Sequence, residues 1–113
     1  MKTEEIVFQI ILHAGNARSF SMEAISLAKK QQIKQAKEKI EEAKKEVSQA
    51  HTIQTDLISK ESKGEQTEVT LLLVHAQDHF MNALTVNDLA NEFVDLYENI
   101  ENLKMECNHH EWY

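Results

Sequence analysis

Proline is absent from this 113-residue chain, glycine occurs twice and cysteine once. Tight hairpins and left-handed corners draw on glycine and proline, so a β-rich fold has too little material here. The lone Cys107 rules out an internal disulfide framework and fits a reducing compartment. Basic residues are also scarce: 12 Lys and Arg face 19 Asp and Glu, for a net charge of −7. Phosphate backbones require clustered cations, so a nucleic-acid partner is not expected. The lysines between Lys29 and Lys45 are interleaved with Glu38, Glu41, Glu42 and Glu46, which reads as a solvated helix face. No apolar run approaches bilayer length, and the start "MKTEEIVFQI" lacks a signal-peptide pattern. A cytoplasmic protein without membrane insertion is the expectation.

What remains is rich in Glu, Lys, Ala, Gln and Leu, the residues that lose least on entering a helix. The length suits one domain with a single core. Apolar positions then show where the helices lie. Ile6, Ile10, His13, Ala17, Phe20, Ala24 and Leu27 recur at spacings of four and three, the stripe of an amphipathic helix over about 3–30. A second stripe, out of register with the first, runs through Ile33, Ala36, Ile40, Ala43, Val47, Ala50, Gln54 and Leu57, predicting a helix over about 33–62. The mismatch places a turn near 29–33 although no glycine is there. "SKGEQ" supplies the next break, with Gly64 free to take a left-handed conformation. The third stripe passes through Val69, Leu72, Ala76, His79, Ala83, Val86, Ala90, Phe93, Tyr97 and Ile100, for a helix over about 66–106. The fold class is all-α, an antiparallel three-helix bundle spanning 1–106 with a C-terminal tail at 107–113.

The third helix is too apolar for a monomer. Beside its main stripe it carries Leu71, Leu73, Val74, Phe80, Met81, Leu84, Leu89, Val94 and Leu96. A helix that is hydrophobic on most sides must be covered on most sides, and two neighbours do not suffice. Self-association through the third helix is the economical expectation.

Into this apolar run are set His75, Asp78 and His79, at i, i+3 and i+4 on one half of the cylinder. With Asn82 and Thr85, His75 and Asp78 form a polar stripe flanked by Gln77. Three readings compete. The stripe is a structural polar seam that fixes register in an oligomer. Or His75 and His79 are a metal pair, although Ala76 stands where an "H-E-x-x-H" site needs glutamate, and His109 and His110 lie in the tail. Or a histidine is a nucleophile, since neutral imidazole attacks phosphorus directly when exposed at a groove.

"LLLVHAQDHFMNAL" (residues 71–84) resembles the active-site segment of enzyme IIA of the lactose/cellobiose class of the bacterial phosphotransferase system. "GNARSFSMEAI" (15–25) is similar to that family's first-helix motif, and "AHTIQTDLISKESKGE" (50–65) to the end of its second helix. The resemblance implies a homotrimer of three-helix protomers. It implies that His75 accepts a phosphoryl group, as a tele-phosphohistidine, from the carrier protein HPr. The group then passes to a cysteine of enzyme IIB and finally to the transported sugar. Asp78 matches the aspartate that gathers at the three-fold axis around one structural Mg2+ per trimer; an oxygen-ligated cation would relieve the repulsion of three carboxylates. Gln77 and His79 match positions that support the phosphorylated ring. Leu71, Val74 and Met81 are candidates for a docking surface or for trimer core. Arg18 has two uses in view, lining the groove or making an exposed salt bridge. The family's usual Gly-Asp pair in the first turn is replaced by "QQI" (31–33), and Phe80 stands where leucine is usual. Ala76 after His75 resembles the cellobiose/chitobiose branch. The alternative to a phosphocarrier is a non-catalytic trimeric helical protein whose polar stripe is purely structural.

Overall fold

The computed structural model describes residues 2–109, with side chains described for 2–107. Three helices follow in up–down–up order: α1 (Thr3–Lys29), α2 (Ile33–Ser62) and α3 (Leu71–His109). No strand occurs among the described residues. The body is a rod of 73 × 20 × 19 Å, its length set largely by α3, about 58 Å at 1.5 Å per residue.

Both turns are closed by the same device. Gln32 N–H donates to the Leu27 carbonyl and Gln31 N–H to the Ala28 carbonyl, each at 2.9 Å. Glu65 N–H likewise donates to Lys60 (2.9 Å) and Gly64 N–H to Glu61 (3.0 Å). These paired bonds form Schellman caps, which need one left-handed residue each. Gly64 takes it at φ 90°, and Gln31 takes it at φ 65°. The first turn therefore stands where the register break predicts it, but with a residue that its backbone disfavours. A side chain in this region costs about 1–2 kcal/mol. Gln31→Gly is expected to stabilise the fold by about 0.5–1 kcal/mol, the relief of that strain less the extra chain entropy that glycine has in the unfolded state. Thermal unfolding checks this as a rise of a few degrees in Tm; a fall would contradict the strain argument.

The third helix differs from its predicted span at both ends. It begins at Leu71 rather than 66, because the Thr70 hydroxyl accepts the Leu73 N–H at 3.1 Å. That is an N-cap, and it satisfies a donor that another turn of helix would otherwise occupy. At the other end Cys107–His109 continue α3 rather than opening a tail. Residues 110–113 of that predicted tail, His110 included, lie outside the described residues.

α1 packs against both other helices, which touch each other less. Alanines line much of the interior: Ala14, Ala17, Ala24, Ala28, Ala36, Ala43, Ala50, Ala76, Ala83 and Ala90 are all buried. Their small side chains let the axes approach closely. Val7, Ile10, Leu57 and Phe80 fill one apolar cluster, Ile40 and Val94 the other. Between these levels along α1 and α3 lies a buried polar pair. Asn87 Nδ2–H donates to Ser21 Oγ at 3.2 Å, and the Ser21 hydroxyl donates to the Ala17 carbonyl at 2.8 Å. On α2 the predicted core line holds, with Ala36, Ile40, Ala43, Ala50 and Leu57 buried. On the other two helices it is turned by about one residue. α1 buries Val7, Ala14, Ser21 and Ala28 rather than centring on Ile6, His13, Phe20 and Leu27. α3 buries Phe80, Asn87 and Val94 while His79 and Val86 are half-buried and Phe93 is exposed.

Candidate functional site

His75, Gln77, Asp78 and His79 lie in the second and third turns of α3, and its twist divides them among three directions. His75 and His79, one turn apart, share a flank. Their Nε2 atoms are 3.1 Å apart and their rings meet edge to face with centroids at 4.5 Å. His75 is exposed and His79 half-buried, so the outer ring is open to an incoming group while the inner one is held against the bundle. A hydrogen bond between two such nitrogens requires one to carry the proton and the other a lone pair.

Gln77 turns the other way. Its Oε1 accepts the Gln54 Nε2–H at 3.0 Å, tying α3 to α2 and keeping it apart from His75. Asp78 is exposed and forms no ion pair among the described residues. It shares a face with Val74 and Met81, both 52% exposed. No group of three or more His, Cys, Asp or Glu that could hold a metal ion occurs among the described residues. One protomer thus offers a single oxygen donor at Asp78, not a complete metal site.

Phe80, which follows His79 in the chain, is buried and stacks on His51 of α2 with centroids 6.2 Å apart and planes inclined by 26°. His51 gives the larger ring a partner at the position where leucine is usual. Nearby, His13 Nδ1 and Glu46 Oε2 are 2.5 Å apart, and Asn16 Nδ2–H donates to Glu46 Oε1 at 3.4 Å. Asn16 therefore serves the α1–α2 seam. Arg18 is exposed and makes none of the ion pairs among the described residues, so the expected salt bridge is not formed. Lys39 makes such pairs instead, with Glu42 at 3.1 Å and Glu23 at 3.4 Å. The Glu42 bond, followed by Glu23, raises its pKa above the usual lysine value against the opposing effect of desolvation.

Spacing alone did not reveal the Gln54–Gln77 bridge, the His13–Glu46–Asn16 seam or the His51–Phe80 stack. One signal was available for the first: Gln54 occupies a core position in the α2 stripe, where a polar residue needs a partner. Large apolar side chains remain uncovered along α3, at Leu71, Val74, Met81, Leu89, Phe93 and Leu96, and on α1 at Phe8, Leu12 and Met22. His75 sits at the edge of the α3 face. No helix is long and apolar enough to cross a membrane among the described residues.

An exposed imidazole beside a second ring nitrogen is suited to accepting and holding a phosphoryl group. The family model for the lactose/cellobiose-specific IIA subunit of the PTS system matches residues 5–98. Over 97 residues the chain is 57% identical to the lichenan-specific phosphotransferase enzyme IIA component of Bacillus subtilis (strain 168), covering 86% of this chain and 88% of that protein. The crystal structure of the PTS cellobiose-specific enzyme IIA from Bacillus anthracis is similar at a TM-score of 0.86 and 51% identity, over 90% of this chain and 94% of that one. The solution structures of the IIA(Chitobiose)–HPr complex of Escherichia coli are similar at a TM-score of 0.78 and 32% identity, over 89% and 98%. The chain belongs to the lactose/cellobiose family of phosphotransferase-system IIA subunits, which carry phosphoryl groups.

Proposed function

We propose that this chain accepts a phosphoryl group from phospho-HPr on His75 and passes it to the cysteine of enzyme IIB. The observation that carries this is the exposed His75 ring, with its Nε2 3.1 Å from that of His79. The likeness to a IIA–HPr complex supports HPr as the donor. With its proton on Nδ1, His75 keeps the Nε2 lone pair, and His79 donates an Nε2–H to it. As the donor docks, the His79 N–H turns from that lone pair to a phosphoryl oxygen, and the freed lone pair attacks phosphorus in line; the new N–P bond forms as the donor's N–P bond breaks, and that electron pair returns to the donor ring. In the second half the IIB thiolate attacks the same phosphorus, and His75 recovers its lone pair. The chemistry asks for positioning and charge stabilisation more than for acid–base work.

A hydrogen bond to a charged group contributes about 1.5–3 kcal/mol. His79→Leu is therefore expected to slow transfer about 10- to 100-fold with helix content unchanged. Stopped-flow transfer from phospho-HPr at the wild-type rate would remove His79 from the scheme.

The uncovered α3 face is the proposed centre of a homotrimer, with one Asp78 from each protomer meeting at the axis. An all-carboxylate donor set suits Mg2+, which would neutralise their mutual repulsion. Asp78→Leu is expected to keep the trimer and lose the cation, read as magnesium per chain by elemental analysis. A wild-type trimer free of divalent cation would contradict the axis site. For the sugar, Ala76 beside the likeness to lichenan- and cellobiose-specific relatives supports a β-linked disaccharide of the cellobiose or chitobiose type. The whole scheme is tested by incubation with phosphoenolpyruvate, enzyme I and HPr. Intact mass should then gain one acid-labile phosphoryl group per chain, discharged on adding enzyme IIB; no adduct would overturn it.

A further inference from the structure

We propose that His75 and His79 form a two-nitrogen chelate for Zn2+, and that the bound ion blocks the phosphoryl transfer assigned to His75 above. The block rests on that reading; the chelate does not. Both rings lie one turn apart on one flank of α3, with Nε2 atoms 3.1 Å apart. Zinc binds imidazole nitrogen at about 2.0–2.1 Å, so two nitrogens on one ion stand about 2.8–3.4 Å apart, from a right-angled to a tetrahedral bite. The pair already stands at the middle of that range. Thr70 caps the helix that carries it and His79 is half-buried, so the ion has little left to order when it enters. Among the described residues neither ring has a hydrogen-bond partner other than its mate.

The donors select the ion. Neutral imidazole suits zinc, whereas Mg2+ takes hard oxygen ligands. No third His, Cys, Asp or Glu joins the two rings among the described residues, so water fills the remaining positions and the ion stays exchangeable. Ala76 follows His75 where a zinc hydrolase carries its glutamate base, so nothing here activates that water. Protons balance within the pair. The proton on His79 Nε2 moves through water to Nδ1 of the same ring, which leaves one lone pair on each Nε2 and releases no net proton. The lone pair that His75 gives to zinc is the one that attacks phosphorus. Ion and phosphoryl group therefore exclude each other.

Titration of the full-length chain with ZnCl2, followed by NMR of 15N-labelled histidine rings, tests the chelate. The Nε2 resonances of His75 and His79 should move together and saturate at one ion per pair, while MgCl2 leaves them in place. His109 and His110 are read separately in the same spectra. Movement of only one ring of the pair, or of neither, overturns the chelate. With zinc at about ten times its dissociation constant, transfer from phospho-HPr should slow about tenfold. The residual transfer of His79→Leu should keep its zinc-free rate, since one nitrogen does not chelate; the same variant exposes any action of zinc on HPr itself. Equal inhibition of that variant, or none of the wild type, overturns the block. A chain whose two rings bind zinc but which never accepts a phosphoryl group overturns the phosphocarrier reading and the block together, and leaves the chelate standing.

Discussion

His75→Ala is expected to reduce phosphoryl transfer by more than about 10⁴-fold, the scale of losing a nucleophile. The exposed His75 side chain supports no buried contact, so the variant should keep wild-type helicity and Tm. The other histidines whose side chains are described have different commitments. His79 is half-buried beside His75, His13 is bound to Glu46, and His51 lies on Phe80. None of these three offers an open nitrogen with an N–H donor beside it, so none of the three should rescue the loss. Quench-flow transfer from phospho-HPr checks the rate, and circular dichroism checks the fold. A His75→Ala chain that still forms a labile phosphate adduct would move the reaction elsewhere.

Leu96→Glu is the second large effect, and it acts on assembly rather than chemistry. Leu96 is 51% exposed in the protomer and lies on the uncovered α3 face, so the bundle itself does not depend on it. In a trimer centred on that face, three copies would be buried. Each buried leucine contributes about 1.5–3 kcal/mol, or about 4.5–9 kcal/mol for the three, and the variant adds three carboxylates that repel one another. Sedimentation equilibrium should show the proposed trimer for the wild type and monomers of unchanged helicity for the variant. Val94→Ala is the useful contrast. Val94 is buried at 1% exposure, so its truncation should lower the protomer's own stability by about 1–3 kcal/mol without altering the association face. A Leu96→Glu chain that remains a trimer would place the interface elsewhere.

Helices were legible because alanine, leucine and isoleucine recur with their period, and α2 buries the side chains that its stripe nominates. Two helices were turned slightly from their predicted faces because their central core positions are polar. Ser21 and Asn87 satisfy each other across the α1–α3 seam, and hydropathy passes over such a pair. The start of α3 was misplaced because Val69 fits the stripe, while Thr70 as cap decides where the helix begins. The first turn was legible only from the register break, because Gln31 takes a left-handed backbone that glycine would have advertised. At the site, i and i+4 spacing correctly put His75 and His79 together. The same spacing arithmetic placed Gln77 beside them, yet its amide is taken up by Gln54 on another helix. Long-range partners of this kind have no local signature. Nor does spacing distinguish a nucleophile from a ligand; the family resemblance supplied that distinction.

The proposed transfer depends most directly on which nitrogen carries the phosphoryl group. The chain labelled with 15N in its histidine rings and charged through phosphoenolpyruvate, enzyme I and HPr can be followed by heteronuclear NMR. The predicted result is one phosphorylated ring, His75, modified at Nε2, with the His79 ring resonances shifted by the new hydrogen bond. Phosphorylation at Nδ1, on any other histidine, or on none would contradict it.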